Sequence, residues 1–263
     1  MNETSLSAGS PGKAVSLMSG WWQIVHSGAL LGAMVVSPAT YTPENRRATA
    51  IQICCTAGQM LPWFVLLSAL LSLVLIHIVV VTAQSYGLSH FALGMVVRVL
   101  VVELLPLSAA LFVALRAGMA SHTEFAAIRR QNAAAPLALA GIGPIHPAFL
   151  PRIVANAVAV VSLVAISGVL ALVLAYVGVY GVTPSELGSF TRTVGQVFEP
   201  VVILSLGLKT LLFAGAVATI PAAASLQRTP EQHNASLAML QGTARLFVVL
   251  IAIEVLLLIT EFF

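Results

Sequence analysis

Long apolar runs separated by short polar stretches dominate the chain. Five of them are long enough to cross a bilayer, because about 20 apolar residues span its hydrocarbon core. These runs lie at about 56–83, 89–120, 150–181, 196–224 and 238–261. None shows the alternating polarity in segments of about ten residues that is typical of a transmembrane β-barrel. The pattern therefore predicts an all-α integral membrane protein with five transmembrane helices.

The N-terminal region has a different pattern. Residues 1–13 are polar and predict a disordered tail. Residues 14–37 are apolar but interrupted by polar side chains, and they contain Trp21 and Trp22. Because tryptophan favours the membrane interface, we expect an interfacial helix here, with a full additional span as the alternative. A polar linker at 38–50 follows, and residues 38–263 are expected to form a single five-span domain.

Composition agrees with the hydropathy pattern. Hydrophobic residues make up 59% of the 263 residues and charged residues 8%, and the mean hydropathy is +1.00. Soluble domains carry about 25% charged residues, so these charges are too few to build a water-soluble surface. The net charge of +3 is spread along the chain, without the basic patch that a nucleic-acid-binding protein presents.

The basic residues predict the orientation in the membrane. Eight of the 12 lie before the first run, between the second and third, or near the start of the fifth. On the opposite side, only Arg192 lies in a loop, and the other three fall inside the runs. Since cytoplasmic loops are enriched in Lys and Arg, we expect a cytoplasmic N-terminus and a C-terminus outside.

Ionisable residues inside the spans are the main candidates for function. Glu103 and Lys209 lie deep in the second and fourth runs, Arg98 is nearer the outer face, and Pro106 can bend the second helix. A charged side chain at such depth costs about 2.5–3.5 kcal/mol on insertion scales. Glu103 and Lys209 therefore form either a structural pair between helices or part of a polar path. His77, inside the first run, is a further candidate for proton relay.

The largest cytoplasmic connection lies at about 124–149. Its first part, from Glu124 to Ala135, is rich in alanine and favours a short helix, which Pro136 and the run from Gly141 to Pro144 would end. Such an element is suited to docking a partner, although an ordinary solvated loop fits the composition equally well.

Other kinds of site are not indicated. There is no complete phosphate-binding loop, nucleophile elbow or paired-histidine zinc motif. Cys54 and Cys55 are adjacent and have no spacing typical of a zinc site. We therefore expect no catalytic residue, metal or cofactor in this chain.

Several motifs together resemble the MlaE-type (YrbE-type) permease family. They lie in order along the second span, the cytoplasmic connection and the start of the third span. The matching residues are Glu103-Leu104-Leu105-Pro106, Ala114-Leu115-Arg116-Ala117-Gly118, Glu124, Gly141-Ile142-Gly143-Pro144-Ile145 and Pro151-Arg152. Lys209 falls where the family has a lysine in the fourth span, and Glu254 where it often has an acid in the fifth.

The resemblance implies a permease subunit of an ABC-type lipid transporter in the bacterial inner membrane. Members are homodimeric, bind a cytoplasmic ATPase subunit that holds ATP and Mg²⁺, and bind a periplasmic MCE-domain protein. They move phospholipids between the inner and outer membranes, and the permease itself is not an enzyme. It also implies that Glu103 and Lys209 belong to the lipid path, and we predict that Pro106 and Arg98 line the same path. The residues that it assigns to ATPase coupling are Glu124, Arg129, Arg130, Gln131 and Asn132.

The chain departs from the family pattern at several positions. Val102 replaces an arginine, Leu105 a glycine and Ala126 another glycine, and Asn132 and Ala133 replace the usual residues of the coupling segment. We therefore expect a divergent member. Two other functions fit the residues alone: a secondary transporter in which Glu103, His77 and Lys209 relay protons, and a membrane scaffold that does not transport.

Overall fold

The computed structural model describes residues 43–87, 89–116, 150–181, 184–226 and 235–262. Within these ranges the elements are helical. Helix α1 is Pro43–Ser85, and α2 is α-helical over Ser89–Val96, π-helical over Val97–Leu104 and α-helical again at 105–116. The later helices are α3 (Leu150–Tyr180), α4 (Leu187–Val197), α5 (Pro200–Leu226) and α6 (Ala235–Phe262), with a 3₁₀ turn at Pro184–Glu186.

Five of the described helices are long and apolar enough to cross a membrane, which confirms the five predicted spans. The segments that meet this criterion are Thr49–Ser85, Phe91–Arg116, Pro151–Tyr180, Pro200–Ala222 and Gly242–Thr260. Their outward faces carry large exposed apolar side chains, such as Trp63 and Leu204, which suit contact with lipid.

Two boundaries differ from the prediction. The polar stretch at 38–50 is helical from Pro43, because proline is tolerated in the first turn, where its missing N–H is not needed. The loop expected before the fourth span contains α4, which ends at Val197 just before α5 begins. The predicted tail at 1–13, the interfacial helix at 14–37 and the coupling segment at 124–149 lie outside the described residues.

Two glycines end membrane helices at the side predicted to face outwards. Gly87 follows α1 and Gly181 follows α3, each with φ of +70°. Because glycine lacks a Cβ, it adopts this left-handed conformation without strain and ends a helix. Their N–H groups donate to the carbonyl oxygens of Gln84 and Val177, at 3.1 and 3.0 Å. The first of these turns brings α2 back antiparallel to α1.

Among the helices whose contacts the structure describes, α1 and α3 share an extensive interface. The buried stripe on α1 recurs every four residues, which places its members on one helical face. Its members are Met60, Phe64, Ser68, Ser72 and Ile76. Small residues allow the backbones to approach, and a Cβ added at Gly178 of α3 would lie 2.6 Å from Cγ2 of Ile76.

The apolar core has two parts, one above the other along the membrane normal. The inner part lies towards the predicted cytoplasmic side and joins all five spans, with Phe64, Val113, Leu163, Phe213 and Leu250 among its members. The outer part joins α1, α2 and α3 to the half-buried side chains of α4. There Phe190 of α4 packs edge-on against Tyr176 of α3, with ring centroids 5.1 Å apart.

Candidate functional site: a charge triad within the spans

Three ionisable side chains from three different spans meet inside the helical bundle. The ammonium group of Lys209, in α5, donates hydrogen bonds to Oε2 of Glu103 in α2 and to Oε1 of Glu254 in α6. The bond to Glu254 is 2.8 Å long. We call Glu103, Lys209 and Glu254 the charge triad, and it connects the second, fourth and fifth spans.

The helices place the triad at the outer end of the inner core. Lys209 lies one turn before Phe213, and Glu254 lies one turn after Leu250, both of which are core residues. Residues four apart share a helical face, so both charged side chains point in the same direction as the apolar core. Lys209 is only 2% exposed.

The depth of the triad follows from the ends of the spans. Glu103 lies 12 residues after Phe91, Lys209 lies 9 residues after Pro200, and Glu254 lies 6 residues before Thr260. At about 1.5 Å per residue, the three positions are within about 10 Å of one depth. The triad therefore lies between the membrane midplane and the side predicted to face outwards.

A π-helical segment carries Glu103. Within α2, Val97–Leu104 is π-helical, and Leu105 donates its backbone N–H to the carbonyl of Leu100, five residues back. Pro106 follows at once, has no N–H to donate, and would bring its ring against the carbonyl four residues earlier. A wider turn before the proline relieves this crowding, and π segments of this kind are frequent at functional sites.

The triad contains more acceptors than donors. Two carboxylates share one ammonium group, so the triad has a formal charge of −1 when all three side chains are ionised. Oε2 of Glu254 is buried and has no hydrogen-bond partner among the described residues. The side chains of Glu103, Glu254 and Lys209 are 21%, 12% and 2% exposed, respectively. A group approaching the triad therefore meets a carboxylate before it meets the lysine.

The other residues predicted for the lipid path are close in sequence but differ in their surroundings. Pro106 is buried beside the π segment, whereas Arg98 lies within that segment and is exposed. No ion pair of Arg98 is found within the described ranges.

His77, considered for proton relay, is exposed on α1. Arg116 lies at the inner end of α2 and donates a 3.3 Å hydrogen bond to Gln59 of α1.

The residues predicted for coupling to an ATPase, Glu124, Arg129, Arg130, Gln131 and Asn132, lie outside the described residues. In the part of the chain that the structure describes, no group of three or more His, Cys, Asp or Glu side chains is arranged to hold a metal ion. Cys54 and Cys55 are exposed free thiols on α1.

Comparison with protein families identifies the chain. The model of the family described as Permease MlaE matches residues 49–260, which includes all five spans and the whole charge triad. The chain belongs to the MlaE permease family. It is therefore a multi-pass membrane protein of a transporter family, as its resemblance to MlaE-type permeases predicted. A comparison with curated proteins gives no match.

Two features of this MlaE-family site were missed by the sequence analysis. Glu254 was noted only as an acid in the fifth span and was not assigned to the lipid path, yet it is bonded to Lys209. The depth of Glu254 in its span could have indicated the contact. Counted from the outer ends of their spans, Glu254 and Lys209 lie at depths that differ by about one helical turn. The sequence contains no comparable signal for the π-helical segment, because Pro106 predicts that the helix is distorted but not which kind of distortion occurs.

Proposed function

We propose that the chain is the membrane-spanning subunit of an ATP-driven ABC transporter in the bacterial inner membrane. In this proposal it moves phospholipid between that membrane and a periplasmic MCE-domain partner, and a separate cytoplasmic ATPase subunit binds and hydrolyses ATP. Membership of a permease family and five membrane-crossing helices support the general role. A homodimer of this chain would form the membrane part of the complex.

The observation that carries the proposal is the charge triad. Burying ionised groups within a membrane span is costly, and such groups mark substrate or ion pathways. Glu103 remains 21% exposed, so a polar headgroup has access to one member of the triad while acyl chains contact the apolar faces of the spans. The π segment and Pro106 would allow α2 to change shape as lipid passes.

The proposed mechanism couples the cytoplasmic side to the triad through α2. Closure of the ATPase subunits would press on the segment from Glu124 to Ala135, which follows α2 in the chain. Because Glu103 is on the same helix, movement of α2 would alter its contact with Lys209 and release the headgroup. Arg129, Arg130, Gln131 and Asn132 are the proposed coupling residues.

Affinity purification of the full chain in detergent tests the assembly. Mass spectrometry of co-purifying proteins and lipids is expected to find an ABC ATPase, an MCE-domain protein and phospholipid. Charge reversal at both Arg129 and Arg130 should reduce recovery of the ATPase, whereas Arg192→Glu, on the exposed surface of α4, should not. Recovery of the chain alone, with neither partner, would contradict the proposal.

Reconstitution tests transport. Complexes in proteoliposomes should transfer labelled phospholipid only with hydrolysable ATP, and Glu103→Gln should reduce the rate more than Glu199→Gln, at an exposed position outside the spans. Transfer driven by a pH gradient without ATP would instead support the proton-coupled transporter. Wild-type rates in both Glu103→Gln and Lys209→Ala would exclude the proposed lipid path.

A further inference from the structure

The order in which the triad residues are exposed indicates which headgroups fit. Lys209, the only cation of the triad, is the most buried of the three and already donates to both carboxylates. Glu103 is the most exposed member. An anionic group that approaches this surface meets negative charge first, and the ammonium that could attract it lies behind two carboxylates.

The numbers of hydrogen-bond donors and acceptors in the triad lead to the same conclusion. Two carboxylates offer four acceptor oxygens, whereas a lysine ammonium has three N–H donors. The buried Oε2 of Glu254 has no partner among the described residues and is not open to a headgroup, so the acceptors that a headgroup can reach are those of Glu103. A phosphate group would add further acceptors. A primary ammonium would add donors and one positive charge, and both are what the triad lacks.

We propose that the triad receives the ammonium group of an amine-bearing lipid headgroup, of the ethanolamine class, in preference to an anionic headgroup. This inference rests on the proposed lipid path and specifies its substrate class. Glu103 is the contact residue. Glu254 sets the preference without touching the lipid, because it engages Lys209 and so leaves Glu103 incompletely neutralised.

The role of Glu254 distinguishes this inference from a general affinity for polar lipids. If Glu254 becomes neutral, Lys209 and Glu103 form a balanced pair, and the surplus negative charge disappears. The attraction for an ammonium group should then be lost, although the headgroup still has the same access to Glu103. Glu254→Gln makes this change with almost no change in side-chain volume.

The test measures lipid bound at equilibrium by the full chain. Wild type, Glu254→Gln, Glu103→Gln and the surface control Glu199→Gln are placed in nanodiscs of equal phosphatidylethanolamine and phosphatidylglycerol, then released gently and analysed by native mass spectrometry. Wild type and Glu199→Gln should retain the ethanolamine lipid about tenfold over the glycerol lipid, since one charge-assisted hydrogen bond gives about that ratio. Both triad variants should retain the two lipids about equally.

Three results would overturn the inference. They are equal retention of both lipids by wild type, enrichment of phosphatidylglycerol, and a wild-type ratio in Glu254→Gln. The last result would also follow if a bound proton, rather than a headgroup, balanced the surplus charge. Glu103→Gln keeps the test decisive if Glu254→Gln does not fold, as judged by gel filtration.

The outcome is separable from that of the proposed function. The retention measurement uses no ATP and no partner subunit, so equal retention alongside ATP-driven transfer would refute only the headgroup preference. Conversely, a tenfold preference without any ATP-driven transfer would leave an ethanolamine-lipid site on a protein that does not have the proposed function.

Discussion

Lys209 and Glu254 join the fourth span to the fifth through a hydrogen bond of 2.8 Å between Nζ and Oε1. The bond matters for α6 because few residues of its spanning segment are buried and, among the described helices, it packs mainly on α5. The same ammonium also binds Glu103 of α2. One lysine therefore holds together three spans that are far apart in sequence.

Removing the lysine should destabilise the protein severely. Lys209→Met keeps most of the aliphatic stem but leaves two buried carboxylates without their counter-ion. Breaking a buried ion pair by removing one partner costs about 3–5 kcal/mol. We expect a large fall in the melting temperature of the purified chain in detergent, measured by the loss of the monodisperse gel-filtration peak after heating.

Matched variants separate charge imbalance from loss of packing. The exposed Arg192→Met should change the free energy of unfolding by no more than about 0.5 kcal/mol. Adding Glu103→Gln and Glu254→Gln to Lys209→Met removes the unpaired charges and should restore part of the stability. If Lys209→Met melts at the wild-type temperature, the triad does not stabilise the bundle.

Replacing Pro106 should alter the π-helical segment. Pro106→Ala supplies an N–H group and removes the ring, so the turn before it can close with ordinary bonds to the fourth residue back. The closure would rotate Glu103 away from Lys209. Because Glu103 would then lose its contact with Lys209, we expect the free energy of unfolding to fall by about 1–3 kcal/mol and lipid transfer to fall by about tenfold.

Pro62 provides the control for this variant. It lies inside α1 and is exposed, and its helix carries no member of the triad. Pro62→Ala should leave lipid transfer unchanged. A structure of Pro106→Ala that keeps π-helical geometry over Val97–Leu104 would show that the proline is not its cause.

The close approach of α1 and α3 gives a packing prediction. Gly178→Ala places a methyl group 2.6 Å from Cγ2 of Ile76, so either this side chain or one of the helices must move. Overpacking of this kind costs about 1–3 kcal/mol, and Ile76→Ala in the same chain should recover part of it by making room. Thermal unfolding of the two single variants and the double variant measures the coupling.

Gly58 is the matched control, because it lies in α1 with no atom within 4 Å of an added Cβ. Gly58→Ala should be neutral or stabilising by up to about 1 kcal/mol, the difference in helix propensity between glycine and alanine. Equal destabilisation by Gly58→Ala and Gly178→Ala would argue against a specific contact at Ile76.

Helix α4 should depend on its aromatic contacts. Phe190→Ala removes the edge-on contact with Tyr176 and the neighbouring contact with Tyr180, whose ring centroid is 6.5 Å away. Aromatic pairs contribute about 0.5–1.5 kcal/mol beyond the area they bury. We expect faster hydrogen exchange over Leu187–Val197, by about tenfold, with no change in the spans.

Gln196→Ala changes an exposed position of the same helix and should leave the hydrogen exchange of α4 at the wild-type rate. If Phe190→Ala also leaves the exchange of α4 unchanged, the aromatic cluster does not hold this helix on the bundle.

Hydropathy predicted most of the fold but not its irregular parts. The five spans are recovered because a helix in lipid satisfies its own backbone groups, so a long apolar run determines the element almost by itself. Helix α4 was taken for a loop because its polar residues Ser189, Thr191 and Arg192 obscure the apolar face of Phe190 and Val194. The helical residues 43–50 were taken for a linker for a similar reason, since they are polar.

The sequence by itself determined the membrane location, the number of spans and the presence of costly charges at Glu103 and Lys209. These follow from local properties, namely the length and polarity of each segment. Only the tertiary structure decided that Glu254 completes the triad and that Glu103 is its most exposed member. Both depend on how the three helices are rotated about their axes. Side-chain packing between the spans sets that rotation, whereas hydropathy along the chain does not.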